Sequence, residues 1–400
     1  MRTVERAAPS GIPAPARLGR LAHWWESWRP SVLPAAIAAA VLVVCAEVIA
    51  VLYAGGPGTV VAHPETLLTV WRRYDAVWYL RIASDGYPAH VHDPSERGSF
   101  GDATAFPPLF PLAIRGLATV LHLPLLAAAL LVSLLTLVPA LALFHRLASL
   151  DAGRHRGRLA LLLLATTPAA FFLVAPYGMG LLLMLVAGAL LAARLRHWAI
   201  AGVCAGLAAV CKIYAGAVVA AVLVEYMQAH DWSFRRVRAD VAWTFMPALL
   251  TVGAWAAYLK ITFDDPLRFL HAETAWDRHV VAPWTTLWNG LHQVFTLWGH
   301  NSIALVRLLE VVSMLLLLGV ALDAARRMRR SDAVLAALAF IAISTSGIVD
   351  SAHRYLIIVT PVYVSLAMIL GRRARLAVVA VSLVLGVFLL GRFVTGAWAG

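Results

Sequence analysis

The chain is built of apolar blocks separated by short polar tracts. Blocks near 32–54, 123–145, 159–175, 178–193, 241–261, 303–323, 333–349, 355–371 and 376–396 are rich in Ala, Leu and Val. Several reach about 20 residues, enough helix to cross a hydrocarbon core of about 30 Å. None alternates with the period of two that a membrane β-barrel requires. The pattern predicts an all-α polytopic membrane protein.

Short basic tracts lie between the blocks: an arginine-bearing N-terminal tail, "RHRGR" (154–158), "RLRH" (194–197), "RRVR" (235–238), "RRMRR" (326–330) and "RRAR" (372–375). Basic loops stay cytoplasmic, so an even number of crossings must separate each consecutive pair. That parity decides two ambiguous segments. Segment 106–122, "FPPLFPLAIRGLATVLH", would break it as a full span, and with three prolines near its start and Arg115 inside it reads as an interfacial or re-entrant helix. Segment 198–227 must hold two short crossings with Lys212 at their outer turn, where an ammonium costs less than at mid-bilayer. The total is about eleven transmembrane helices. Residues 1–30 read as a cytoplasmic basic tail and 31–400 as a single integral-membrane domain with two long outer loops, about 55–105 and 262–302. The block from Ser31 to Ala54 is too long for a signal-peptide core, so it reads as a retained first span.

Composition agrees: 61% of residues are hydrophobic and 14% charged, against about 25% charged in soluble domains. The net charge of +12 does not signal nucleic acid, because the arginines flank apolar blocks and no zinc-finger or helix-turn-helix pattern is present. Cys204 and Cys211 are about 10 Å apart on one helix, too far for a disulfide. Eleven of the 21 acidic residues fall on the outer side. The cytoplasmic side offers thin basic turns and no Gly-rich phosphate loop, so chemistry belongs to the outer face.

The densest polar stretch there is "WRRYDAVWYLRIASDGYP", Trp71 to Pro88. Read as a helix over 71–87, it places Trp71, Asp75 and Trp78 on one face. A carboxylate framed by aromatic rings suits a polyhydroxyl substrate, whose hydroxyl proton it can accept. The plainer alternative pairs Asp75 with Arg72 and Asp85 with Arg81 as ordinary helix ion pairs, with the rings forming an interfacial belt. Lys212 and Arg354 are outer cations of the kind a lipid phosphate needs, or they snorkel to ordinary headgroups; His353 is a neighbouring donor. The second loop carries Asp264, Asp265, His271, Glu273, Asp277 and His279 without a metal-site spacing, which leaves a divalent metal as the less favoured addition.

Taken in order, "WRRYDAVWYLRIASDGYP", "AFPPLFPL" (105–112), "TPAAFFLVAPY" (167–177), "DRHVVAPW" (277–284) and "HRYLIIVTP" (353–361) resemble the bacterial relatives of the GPI-anchor mannosyltransferase family, members of the GT-C superfamily of membrane glycosyltransferases. The resemblance implies a GT-C-like fold and inverting transfer of a sugar, mannose in that family, from a polyprenyl- or dolichyl-phosphate carrier on the outer face. It implies Asp75 as the essential carboxylate. Arg72, Tyr79, Asp85, Tyr177, Lys212, Arg278, His353 and Arg354 are the expected substrate contacts. No cofactor is required by this scheme. The acceptor would be a glycolipid, a lipid-linked glycan or a protein, and the site would face outward from a bacterial cytoplasmic membrane. The chain departs from the family at Gly178-Met179, where a polar or acidic residue usually follows "APY", and at Lys212, where an arginine is usual. Two other classes remain in view: a lipid or solute transporter, for which Glu47 and Glu310 would be the ionisable residues within spans, and a non-catalytic partner of another membrane enzyme.

Overall fold

A computed structural model describes residues 15–54, 68–87, 103–233, 235, 239–299 and 302–400. Glu65, Asp93, Glu96 and Asp102 of the first loop, and 236–238 of the "RRVR" tract, lie outside them. All regular structure among the described residues is helical. Five helices are long and apolar enough to cross a membrane: α1 (Pro15–Ala54, apolar over Glu26–Tyr53), α4 (Leu125–Ala152), α9 (Asp240–Phe263), α12 (Ile303–Arg327) and α16 (Arg372–Val394). Between them lie α2 (Asp75–Asp85), α3 (Leu109–Leu121), α5 (Arg154–Ala165), α6 (Met179–Arg194), α7 (Trp198–Ala209), α8 (Ala217–Ala229), α10 (Arg268–His271), α11 (Pro283–Leu297), α13 (Arg330–Ser344), α14 (Ala352–Tyr355) and α15 (Thr360–Ile369).

The expected straight span near 355–371 is instead broken. Residues 352–358 and 360–369 meet at 86° and together make a sixth candidate crossing. Pro361 opens α15; a proline restricts the residue before it and cannot continue a preceding helix. The segment 106–122 yields α3, 13 residues long, too short to span and packed on α2 and α4. Segment 198–227 forms a helical hairpin. Trp198 and Tyr226 stack edge-on at 5.0 Å at its open end, while Lys212 sits at its closed end between α7 and the 3-10 turn Ile213–Gly216.

The bundle has two chemically different ends. At one, the side chain of Arg194 at the end of α6 is fully buried and ion-pairs with Asp151 of α4 (3.1 Å), Asp332 of α13 (2.8 Å) and Glu225 of α8. Arg329 reaches Glu225 at 3.3 Å. The other end, about 24 Å away along α6, carries Met179, Lys212 and Arg354.

Close helix approach depends on small residues. A Cβ on Gly202 would lie 2.2 Å from the Thr244 carbonyl oxygen, and one on Gly206 2.8 Å from the Ala248 nitrogen. The spacing of four puts both glycines on one face of α7, letting the backbone of α9 rest directly on it. Gly202→Ala should therefore cost about 1–3 kcal/mol and lower the midpoint of thermal unfolding in nanodiscs. Gly253→Ala, on α9 where a Cβ meets nothing within 4 Å, should leave it unchanged or raise it.

Candidate active site

Helix α2 begins at Asp75, not at Trp71. Residues 71–74 form a turn, so Trp71 is not on the helix that carries Asp75. Trp71 is fully buried; its indole donates to Glu47 Oε1 of α1 at 3.2 Å and its ring lies 5.9 Å from Phe393 of α16. Tyr74 takes a positive φ of 47°, a sparsely populated geometry for a bulky residue, and Asp75 follows in the first helical turn. The far end of α2 is capped by Arg115 of α3, whose guanidinium donates to the carbonyls of Ala83 (2.5 Å) and Ser84 (2.9 Å). A cation on the last carbonyls of a helix satisfies orphan acceptors and complements the helix dipole. That explains an arginine inside an otherwise apolar segment.

Asp75 does not pair with Arg72. Its Oδ2 lies 3.0 Å from Arg354 Nη1 and 3.4 Å from Lys212 Nζ. Lys212 and Arg354 are 9% and 4% exposed, and the Asp75 side chain 15%. Lys212 sits over the ring of Tyr79 at 5.0 Å and that of Phe106 at 5.6 Å. Arg354 lies over Tyr177 at 5.2 Å, Phe172 at 5.3 Å and Tyr355 at 5.6 Å. Ring faces carry negative potential and stabilise buried cations. Burial works to raise the Asp75 carboxyl, but Arg354, Lys212 and Arg278 together outweigh it and hold it below the usual carboxylate range. Arg354 Nε is buried without a hydrogen-bond partner among the described residues.

The second loop closes over this group. Trp276 meets Trp78 at 5.6 Å and Phe106 at 5.7 Å edge-on. It brings Arg278, whose Nη2 donates to the Tyr355 hydroxyl at 3.1 Å and whose Nε is 3.4 Å from Glu273. Burial raises the Glu273 carboxyl above its usual range, opposed by Arg278 and Lys212. In the sequence Glu273 stands only among candidate metal ligands, and no spacing signals its place beside the cations. Asp265 pairs with His271 at 2.7 Å. Among the described residues no group of three or more His, Cys, Asp or Glu could hold a metal ion.

The other candidates are spread around this centre. Arg72 and Asp85 are exposed, and Asp85, at the far end of α2, accepts from Ser84 rather than from Arg81. Tyr79 is fully buried between Phe106 and Phe110, at 5.3 and 5.0 Å. The Tyr177 hydroxyl donates to the Arg73 carbonyl at 3.1 Å. His353 Nε2 donates to the Ala399 carbonyl at 2.9 Å. Gly178 has φ +70°, and a Cβ there would lie 2.9 Å from the Phe110 ring, which explains glycine after "APY". Met179 follows, fully buried, with its sulfur 3.8 Å from the Tyr214 hydroxyl. Both acids that a transporter reading would use are committed elsewhere. Glu47 takes the Trp71 bond; Glu310 accepts from Arg307 at 2.8 Å and from the Ser351 amide at 2.9 Å.

Residues 104–349 match the model of glycosyltransferase family 87. The chain belongs to that family. Lys212 and Arg278 fall inside the matched region, while Asp75 and Arg354 flank it. The fold of this family 87 chain is similar to that of ArnT from Cupriavidus metallidurans bound to undecaprenyl phosphate (TM-score 0.51, 14% identity, covering 89% of this chain and 77% of that one). A lower score, 0.45, relates it to the Archaeoglobus fulgidus oligosaccharyltransferase in complex with zinc and sulfate (14% identity, 90% of this chain and 53% of that one). No curated protein matches the sequence. The protein is a membrane glycosyltransferase of the GT-C type.

Two outcomes follow from this geometry. Because the folded Asp75 pKa is depressed, its contribution to stability is fully present above the ordinary carboxylate value of about 3.9 and is lost as pH falls through the lower folded value. An acid titration of thermal stability should show that loss in the wild type and a flatter curve in Asp75→Asn. Arg115→Leu should speed hydrogen exchange at 82–86 and cost about 1–2 kcal/mol, since it strips charged donors from several helix-end carbonyls.

Proposed function

We propose that this family 87 enzyme transfers a sugar, mannose by the resemblance of its motifs, from a polyprenyl-phosphate carrier to an acceptor hydroxyl at the extracytoplasmic face of a bacterial cytoplasmic membrane. The observation that carries the reading is the ion-pair centre: one carboxylate oxygen within 3.4 Å of both a lysine and an arginine, with a further arginine, Arg278, acting on the same carboxylate. The carrier phosphate of ArnT's ligand is a chemical match for such cations.

In this reading the acceptor oxygen attacks the anomeric carbon from the face opposite the phosphate, so the configuration inverts. The bond from that carbon to the phosphate oxygen breaks, and the acceptor proton passes to Asp75. The departing lipid phosphate gains negative charge, which Arg354, Lys212 and Arg278 neutralise; stabilising charge that develops in the transition state is commonly the largest catalytic effect. A carboxylate held below its usual range is a weak base. A phosphate that draws Arg354 and Lys212 toward itself weakens their hold on Asp75 and raises its proton affinity, so the base strengthens when the donor is seated. The acceptor reading stays at the level of a hydroxyl-bearing glycolipid, lipid-linked glycan or protein.

The test is transfer from radiolabelled polyprenyl-phosphate-mannose by purified protein, with total membrane lipids as acceptor. Asp75→Asn should lower kcat by about 100-fold or more, and undiminished transfer by that variant would remove Asp75 from the chemistry. Lys212→Met should raise the donor KM by about tenfold or more, while Lys212→Arg keeps the charge and should stay within a few-fold of wild type.

A further inference from the structure

Asp75 and Arg354 are 279 positions apart in the chain, yet the residue before each is tethered to the same short segment. The Tyr74 hydroxyl donates to the Gly396 carbonyl at 2.6 Å. His353 Nε2 donates to the Ala399 carbonyl at 2.9 Å. Arg73 adds a bond to the Val394 carbonyl at 3.2 Å, and Arg392 Nε ties Trp398 back to α16 at 2.7 Å. The Tyr74 ring is edge-on to Trp398 at 5.3 Å and tilted against Phe393 at 6.2 Å. Both sides of the ion pair also carry backbone strain: φ is 47° at Tyr74 and 68° at Ser351. Such conformations persist only where surrounding bonds over-determine them.

We propose that residues 394–399 form a positioning strap that sets the distance between Asp75 and Arg354, with Tyr74 and His353 as its two anchors. Neither anchor takes part in the transfer itself. Tyr74 fixes where α2 begins and so where the carboxylate points; His353 fixes the short helix α14 and so the guanidinium. The segment thereby tunes how strongly the carboxylate is held by its partner, which is what the reaction depends on. The functional part of this inference rests on the transfer reading above; the tether does not.

The charged groups that act on Asp75 are Arg354, Lys212 and Arg278, with Glu273 opposing them. The phenols of Tyr79, Tyr177 and Tyr214 also face it. The strap anchors both sides of the Asp75–Arg354 contact, whereas Lys212 is held by the hairpin turn after α7, so loosening the strap should act chiefly through the Arg354 contact.

Two variants of the full chain test the idea from opposite sides. Tyr74→Phe removes one hydrogen bond and keeps the ring. Gly396→Ala strains the strap at φ +82° without touching either charged residue. In hydrogen-exchange mass spectrometry both should speed exchange at 74–79 and at 352–358 together; a rise confined to one of the two segments overturns the strap. In the polyprenyl-phosphate-mannose assay both should lower kcat about 5- to 30-fold and move the acid limb of its pH profile upward by about half a unit or more, because a carboxylate freed from its cation takes a proton sooner. In an Arg354→Lys background the further loss should be under about threefold. An unmoved acid limb, or losses that simply multiply with Arg354→Lys, would overturn the positioning role. If the wild type transfers nothing from this donor, the proposed function fails and the exchange experiment still decides the strap.

Discussion

A single carboxylate oxygen that holds two cations together in a poorly hydrated place is the constraint on which this architecture turns. Lys212 and Arg354 repel each other across the few ångströms that Asp75 bridges, and removing one partner of a buried pair leaves an uncompensated charge at a cost of about 3–5 kcal/mol. The fold delivers each charge from a break in a helix and not from a helix interior. Asp75 starts α2, Lys212 sits in the hairpin turn after α7, and Arg354 lies in the short leg of an 86° bend. Helix ends expose unsatisfied backbone groups, and they are also where a side chain can project along the bundle axis instead of sideways into lipid.

The rings around these charges have a different role from the one their spacing suggests. Trp78, Tyr79, Phe106 and Trp276 face one another more than they face any open surface. Tyr79 and Phe106 lie beneath Lys212, and Phe172, Tyr177 and Tyr355 surround Arg354. They replace part of the water that the cations give up, which no carboxylate alone could do for both.

Much of this was readable before folding. Apolar blocks, basic tracts and parity placed the helices, turned 198–227 into a hairpin and put Lys212 at its tip, because charge and hydrophobicity are properties of short segments. Asp75 stood out as an acid among aromatics. Its partner did not: the Asp75–Arg354 contact joins residues 279 apart, and no local pattern encodes it. The start of α2 has no local signal either, since apolar periodicity continues through Trp71 while the strain at Tyr74 and the tie of Trp71 to α1 depend on tertiary contacts. Arg115 in the sequence breaks a span; its part as a cap depends on the carbonyls of the neighbouring helix α2. Glu310 stands out as one of two acids within spans, where a charge is costly; the Ser351 amide that answers it arrives from the distant turn that opens α14.

The Arg194 cluster, remote from any chemistry, shapes how the molecule can move. It rivets α4, α6, α8 and α13 to one another at a single level of the bundle. Helices pinned at one end cannot slide past each other along their axes; what remains to them is splaying, with an amplitude that grows with distance from the rivet. Lys212 and Arg354 stand at the opposite rim, where such splaying would have its longest lever arm. The cluster is thus a pivot, and the ion-pair centre sits at the far end of its lever.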